Sequence, residues 1–164
     1  MDDVVVANLA GFFDGEGSVC ILQRRPKKST HQPGYFLALT AAQLTCRPEA
    51  LNRLKARFGG CISNGVGRAN PISIWSVGSD KAVEALKAMA PYLATKWHVA
   101  IVGLMFGVWK QEQQAIRRRT RRRFVSDDEV KTAQVLRGLA QKLNRSRAQG
   151  VEPMQIGSAG GERK

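Results

Sequence analysis

Asp14 and Glu16 are two acidic residues set close together in the sequence Phe-Phe-Asp-Gly-Glu-Gly at residues 12–17. Apolar periodicity predicts a helix before them and the glycines end it, so both carboxylates would lie at its carboxyl end. The helix dipole is negative there and disfavours each carboxylate by about 0.3–1 kcal/mol. A positive group is therefore expected beside them, unless they are ordinary solvated acids, an alternative that the residues alone leave open.

The helix that carries these acids has two distinct stripes. Val5, Leu9 and Phe12 fall at i, i+4 and i+7 and predict the side that faces a core. A second stripe repeats small residues at intervals of four, namely Ala7, Gly11 and Gly15. Glycine inside a helix costs about 0.5–1 kcal/mol relative to alanine, so this stripe predicts close contact with another helix. If two copies pair there, two acidic ends meet, and a divalent metal ion is the natural counter-charge.

The segment Leu9 to Gly17, Leu-Ala-Gly-Phe-Phe-Asp-Gly-Glu-Gly, resembles the signature of the LAGLIDADG homing endonucleases. The resemblance implies that motif helices pair at the centre of a saddle and that Glu16 binds a catalytic divalent metal, with help from the Gly15 carbonyl. Mg²⁺, or Mn²⁺, suits carboxylate, carbonyl and water ligands. Because the chain has one such motif, it is expected to form a homodimer through the small stripe and to bind a palindromic or nearly palindromic site.

Two further site residues follow from the same resemblance. The segment Pro91 to Lys96 is similar to the P-x-L-x-x-K sequence whose lysine reaches the active site, so Lys96 is expected to stabilise charge near the scissile phosphate. Gln43 lies where family members often place a polar residue that orders active-site water. The alternatives are a surface lysine at a helix start and an exposed or capping glutamine.

The element order predicted after the motif gives an α+β fold, αββαββα, with antiparallel strands and helices on one side of the sheet. Strands are predicted over 18–24, 35–44, 61–66 and 72–77, and helices over 48–58, from about 79 to 90, and from 92 to about 111. The other side of such a sheet is free, and a β-ribbon fits the DNA major groove. The resemblance implies the same use, with four strands lying along the groove.

Double-stranded DNA is accordingly the predicted partner of this free side. Predicted contacts on strands and turns are Arg24, Thr40, Asn64, Arg68, Asn70, Ser73 and Trp75, joined by Arg25, Lys27 and Lys28 of a basic loop. The alternative for each is a solvated strand residue. A register error of one residue would turn every strand side chain to the opposite side.

The last third of the chain, where the resemblance fades, is strongly basic. The run predicted to contact the DNA backbone comprises Arg117, Arg118, Arg119, Arg121, Arg122 and Arg123. Ser126 to Glu129 forms a capping box, and the helix after it would have one apolar side made of Val135, Leu136, Leu139 and Leu143. We therefore divide the chain into an endonuclease domain at 1–115, a basic segment with a helix at 116–148, and a tail at 149–164 expected to be disordered.

Composition is consistent with a nucleic-acid partner. The chain of 164 residues has a net charge of +13, which favours a polyanion but does not identify it. Three scattered cysteines and two histidines make a disulfide framework or structural zinc site improbable and indicate an intracellular protein. The uncharged stretch 97–109 is too short to span a membrane, which needs about 20 residues. Arginine exceeds lysine, which favours a bacterial or phage source over an organelle.

The sequence therefore predicts a homodimeric, metal-dependent DNA endonuclease that hydrolyses phosphodiester bonds and needs no small-molecule cofactor. Two alternatives share its scaffold: a non-cleaving DNA-binding regulator, and a maturase that helps an intron RNA to fold. A third, an unrelated basic RNA-binding module, would require the nine-residue motif to be coincidental. Glu16 and Lys96 favour the nuclease.

Overall fold

Four strands form one antiparallel sheet in the computed structural model, which describes residues 2–24, 32–64, 71–121 and 125–148. The elements of these residues are α1 Asp2–Glu16, β1 Gly17–Arg24, β2 Gly34–Leu44, α2 Glu49–Phe58, β3 Cys61–Asn64, β4 Ile72–Gly78, α3 Ser79–Met89, α4 Trp97–Thr120 and α5 Asp127–Ala148, with a 3₁₀ turn at Ala90–Tyr92. The predicted α+β order αββαββα is confirmed by the elements from α1 to α3.

The two sides of the sheet differ in burial. Strand order is β1-β2-β4-β3, and successive side chains of a strand point to opposite sides. Val19, Leu39 and Trp75 are fully buried and define the side covered by helices. The opposite side, which we call the outer face, carries Thr40 and its cross-strand partner Ser76. The helix-covered side thus contains the core, and the outer face is the predicted free side.

The core-facing stripe of α1 differs from the prediction by one residue. Val6, Leu9, Ala10 and Phe13 are buried, whereas Val5 is 48% exposed. The predicted stripe is therefore wrong at Val5, whereas Leu9 is buried and Phe12 is half-buried and packs against the core. At the turn into β1 the Phe13 ring packs over Gly17, where a Cβ atom would lie 2.3 Å from Phe13 Cδ2.

Helix α4 begins later and ends later than predicted. It runs from Trp97 to Thr120 instead of from residue 92 to about 111. The residues just before Trp97 are held outside the helix by contacts with α1, described below. At the other end the arginine run continues the helix, because arginine is a good helix former and cations are favoured at a helix carboxyl end. Residue 115, the predicted domain boundary, consequently lies inside α4.

Helix α5 packs against α4 and the edge strand β1. Its predicted start is confirmed, since the Glu129 N–H donates to Ser126 Oγ at 3.3 Å. The predicted apolar side is wrong at Val135 and Leu139, which are 70% and 44% exposed. The buried residues are Val130, Ala133 and Ala140, small enough for close helix contact.

An amide from α5 also covers an exposed backbone group of the sheet. Asn144 Nδ2 donates to the Val19 carbonyl on β1 at 3.0 Å. Because β1 is an edge strand, this bond fills a position at which another strand would otherwise pair. Among the described helices none is long and apolar enough to cross a membrane, and Cys20, Cys46 and Cys61 are free thiols.

Candidate active site and nucleic-acid interface

Asp14 joins the end of α1 to the segment that leads into α4. Its Oδ2 accepts hydrogen bonds from the backbone N–H groups of Thr95 at 2.8 Å and Ala94 at 3.3 Å, and its Oδ1 accepts one from Lys96 N–H at 2.8 Å. Helix α4 has no side-chain cap of its own at Lys96, so the carboxylate supplies acceptors and negative charge at its amino end. We call this arrangement of Asp14, Gly15, Thr95 and Lys96 the α1–α4 junction.

Lys96 supplies the positive charge predicted at the carboxyl end of α1. Its side chain is almost completely enclosed, with the residue 1% exposed. Nζ donates to the carbonyl oxygens of Asp14 and, at 3.3 Å, Gly15. These carbonyls carry the negative end of the helix dipole, and a buried ammonium group requires such acceptors. Two predicted site residues, Gly15 and Lys96, are thereby brought together, and the alternative of a surface lysine is excluded.

The junction also changes the acidity of Asp14. Burial raises the pKa of this carboxyl, but the backbone hydrogen bonds from Thr95 and Lys96, the Thr95 side chain and the Lys96 charge together outweigh that effect. The pKa of Asp14 is therefore lowered below its ordinary value. The group remains ionised down to acidic pH, as its role at the start of α4 requires.

Glu16, the other acid of the pair, stays at the surface. It is the exposed last residue of α1 and forms no ion pair with another described residue. Its carboxylate and the Gly15 carbonyl are hard oxygen donors, which fit Mg²⁺ or Mn²⁺. Among the described residues, no group of three or more His, Cys, Asp and Glu side chains is placed for a metal.

Gln43 lies on the helix-covered side of β2 in a groove between α1 and α2. The residues that line this groove with it are Asn8, Leu9, Phe12, Glu49, Ala50 and Arg53. Its Oε1 is buried and has no hydrogen-bond partner in the described chain. Ala41 is the residue of β2 that pairs with Gly17, so Gln43 lies two residues beyond that pair. The structure therefore places Gln43 against the middle of α1, and its part in ordering water stays a prediction.

The small stripe of α1 is exposed and unfilled. A Cβ atom built at Gly11 or Gly15 would meet no atom within 4 Å, and Ala7 is half-buried one turn earlier. Gly107 of α4 is different, because a Cβ atom there would lie 2.5 Å from Val83 Cγ2. Packing within the chain thus accounts for the glycine at 107 but not for those at 11 and 15.

Two predicted DNA contacts, Arg24 and Thr40, lie on the outer face. Thr40 pairs with Ser18 on one side and with Ser76 on the other. Arg24 is at the end of β1, with its guanidinium carbon 5.5 Å from the centre of the Phe36 ring. A cation stacked in this way is held in place while its hydrogen-bond donors remain exposed.

Two other predicted base contacts are turned toward the helices. Trp75 is fully buried and its Nε1 donates to the Gly59 carbonyl at 2.8 Å. Ser73 is 1% exposed and its hydroxyl donates to Asn64 Oδ1 at 2.8 Å. The predictions for Ser73 and Trp75 are wrong because the outward positions of β4 are one residue away. Asn64 is exposed at the end of β3, and its role stays a prediction.

Solved structures show the same architecture. The homing endonuclease I-CvuI, in complex with its target Sro1.3 in 2 mM Ca, matches with a TM-score of 0.70 at 19% identity, over 87% of this chain and 83% of that chain. The archaeal intron-encoded homing endonuclease I-Vdi141I, complexed with DNA, matches with a TM-score of 0.66 at 16% identity, over 87% and 86%. The chain has the LAGLIDADG homing endonuclease fold. By sequence alone, neither a family model nor a curated protein matches it.

A third structure relates this chain to part of a larger protein. The meganuclease I-SmaMI, bound to uncleaveable DNA, matches with a TM-score of 0.62 at 14% identity. The match covers 81% of this chain but only 43% of I-SmaMI. The LAGLIDADG fold of this chain thus corresponds to most of I-CvuI and to less than half of I-SmaMI.

The basic run begins in the last turn of α4. Arg118, Arg119 and Arg121 are exposed, whereas Arg117 is paired with Glu129 of α5 at 2.9 Å. Arg117, one of the predicted contacts to the DNA backbone, is thus engaged within the chain. Burial and the Arg117 charge lower the pKa of nearby Lys110, and Glu129 opposes that shift. The predicted contacts that lie outside the described residues are Arg25, Lys27, Lys28, Arg68, Asn70, Arg122 and Arg123.

Sequence reasoning missed the structural role of Asp14 and its partner Thr95, whose hydroxyl donates to the Asp14 carbonyl at 3.3 Å. The sequence did not reveal it, because α4 was predicted to begin at residue 92 and not at Trp97. The Lys96 side chain cannot accept hydrogen bonds, so the first N–H groups of α4 must find an acceptor elsewhere. The Asp14 carboxylate, near the end of α1, provides both the acceptors and the negative charge.

Proposed function

We propose that this chain is a site-specific endonuclease that hydrolyses both strands of DNA with Mg²⁺ or Mn²⁺, as a homodimer, at a long and nearly palindromic site. The observation that carries the proposal is the different use of the two motif acids. Asp14 is committed to the α1–α4 junction, whereas Glu16 remains exposed one residue beyond Gly15. An exposed acid on a rigidly held helix end is suited to binding a metal.

Glu16 and the Gly15 carbonyl would hold the metal. There it would supply neutralisation of the phosphodiester charge and activation of a water molecule for attack at neutral pH. The chain's own contribution is orientation: the Lys96 ammonium group fixes the end of α1 and places positive charge near the phosphate. Gln43, with a buried amide oxygen that has no hydrogen-bond partner among the described residues, would order water on the helix-covered side.

The homodimer is supported by the glycines of α1. Gly11 and Gly15 lower helix stability, and no atom of the described residues occupies the space that a side chain at either position would need. A second α1 lying against this stripe explains both residues, since small side chains four apart let two helices approach closely. Such pairing would bring two Glu16 residues together, which supplies oxygen ligands from both copies.

DNA binding is supported by charge and by the outer face. Homing endonucleases I-CvuI and I-Vdi141I, which share this fold, were solved in complex with DNA. We propose that the outer face, with Arg24 and Thr40, lies along the major groove. The exposed arginines at the end of α4 would contact phosphates, so that residues 116–148 extend the footprint of the domain at 1–115.

Cleavage of a plasmid library of candidate sites tests the proposal. We expect the wild-type protein to cut in magnesium and to bind without cutting in calcium. Glu16→Gln, which removes one charge and keeps the shape, should bind the same site and abolish detectable cutting. Glu112→Gln is the matched control, because Glu112 is an exposed acid on α4 outside the junction.

Two outcomes would contradict the proposal. Cutting by Glu16→Gln at the wild-type rate would remove Glu16 from the metal site. Tight binding of a palindrome by the wild-type protein with no cutting in magnesium or manganese would show that the scaffold is used for binding alone, as in a regulator. Preferential binding of a structured intron RNA would then favour the maturase.

A further inference from the structure

The outer face is dominated by apolar and small side chains. Among the described strand residues that face this side, Arg24 is the only charged one, and none is Asn, Gln, Lys, Asp or Glu. Four large aliphatic side chains are 41–47% exposed there, namely Leu22, Leu44, Ile72 and Ile74. Exposed aliphatic groups on a sheet call for an apolar partner.

A band of small polar groups separates these aliphatic side chains. Ser18 pairs with Thr40, Thr40 with Ser76, and Ser76 with Cys61, so one row crosses all four strands. Leu22 lies on one side of this row along β1. The other three aliphatic residues lie on the opposite side, where Leu44 pairs directly with Ile72. The face therefore presents two aliphatic patches with hydroxyl and thiol groups between them.

This composition limits which base edges the strands can recognise. Guanine is recognised mainly by Arg or Lys and adenine by Asn or Gln, and apart from Arg24 the described outer face has none of these. Thymine differs, because its C5-methyl group lies in the major groove and is recognised by apolar contact. The aliphatic patches match that methyl group in chemistry.

We infer that the strands of this chain recognise thymine methyl groups in each half-site through Leu22, Leu44, Ile72 and Ile74. This inference rests on the proposed function, since it requires the outer face to lie in the DNA major groove. Sequence preference then comes from methyl burial at these positions, and the Ser18–Thr40–Ser76–Cys61 row accepts several bases. The backbone is held by arginines such as Arg118 and Arg119 at the end of α4.

Replacing thymine by deoxyuridine removes only the C5-methyl group and keeps base pairing, so it tests the inference directly. The full-length protein would first select its site from a random double-stranded library in calcium. The dissociation constant would then be measured by fluorescence polarisation on duplexes with one thymine at a time replaced. Burial of one methyl group is worth about 0.8 kcal/mol, so at two or more half-site positions each replacement should weaken binding about fourfold.

A matched pair of variants connects the effect to the outer face. In Ile74→Ser, one of the deoxyuridine positions should lose its effect, since the apolar contact is already absent. Val135→Ser, which changes an equally aliphatic and 70% exposed residue on α5, should retain every deoxyuridine effect. Cys61 gives an independent check, because its exposed thiol on the outer face should be protected from maleimide by bound DNA.

The outcomes separate the inference from the function on which it rests. Failure to select any double-stranded site would overturn the proposed function. Selection of a site at which every deoxyuridine duplex binds as tightly as the thymine duplex would overturn the inference and leave the function intact. Unchanged Cys61 alkylation in the complex would show that DNA binds another surface.

Discussion

Gly11→Leu should change the stability of the monomer and the affinity of the dimer in opposite directions. Within one copy the new side chain enters open space, since a Cβ atom at Gly11 has no neighbour within 4 Å. Removing glycine from a helix interior is worth about 0.5–1 kcal/mol. In a chain of this size each kcal/mol of added stability raises Tm by about 2–4 °C, so the Tm of the monomer should rise.

In the homodimer the same side chain would lie between two copies of α1. Inserting a bulky group into a packed interface costs about 1–3 kcal/mol, and the twofold axis doubles that cost. Even the lower value, about 2 kcal/mol, weakens dimerisation roughly 30-fold. Gly138→Leu is the matched control, because Gly138 lies inside α5 with equally open surroundings and should stabilise the protein without affecting the dimer.

Sedimentation equilibrium gives the dimer dissociation constant, and urea unfolding at several protein concentrations gives the stability of each state. The wild-type midpoint should rise with concentration, whereas the Gly11→Leu midpoint should not, since unfolding of a dimer depends on mass action. A Gly11→Leu protein that dimerises as tightly as the wild type would refute the pairing of α1 helices. So would a wild-type protein that remains monomeric with and without DNA.

Four further changes test the packing around the site. Asp14→Asn should lower the unfolding free energy measured in urea at neutral pH by about 1–2 kcal/mol, because α4 loses charge and one acceptor at its amino end. An unfolding free energy equal to that of the wild type would contradict this role. Because the pKa of Asp14 is lowered in the folded state, its stabilising effect is present above the unfolded-state pKa and disappears as the pH falls through the folded-state pKa. The difference in unfolding free energy between wild type and Asp14→Asn should therefore close below about pH 4. A difference that stays constant with pH would be evidence against the shift. Gly107→Ala should lower the unfolding free energy by about 1–3 kcal/mol, and adding Val83→Ala should cost less than the sum of the single changes in thermal unfolding. Glu129→Gln leaves Arg117 with a weaker acceptor and should lower the unfolding free energy by about 1–3 kcal/mol. Amide hydrogen exchange in α5 should increase as well. Unchanged exchange would argue against the ion pair as a contact that holds α5 in place.

Local patterns in the sequence were enough to predict the order of elements and the end of α1. The motif acids, the glycines after them and the alternating strands carry this information within a few residues. The requirement for positive charge at the end of α1 was also predictable from the helix dipole alone. Lys96 meets it, although 80 residues separate it from Glu16.

Side-chain orientation could not be obtained in the same way. On β4, isoleucines and buried residues alternate as Ile72, Ser73, Ile74 and Trp75, so both sides contain a large apolar residue and the pattern does not identify the inner one. Trp75 is inside, where it joins the core and its Nε1 donates to the Gly59 carbonyl, 16 residues earlier in the chain. Tertiary contacts of this kind decide register when both sides of a strand are apolar.

The α1–α4 junction has a consequence for how such a chain can evolve. Asp14 accepts hydrogen bonds at the amino end of α4, and Lys96 donates to carbonyls at the carboxyl end of α1. A copy that no longer needs to cut DNA would therefore still lose stability if either residue changed. Glu16 is exposed and is not part of this junction. In relatives that only bind DNA, Glu16 should be the first of these positions to vary. A relative that retains Lys96 therefore shares the architecture, and the lysine alone does not indicate enzymatic activity.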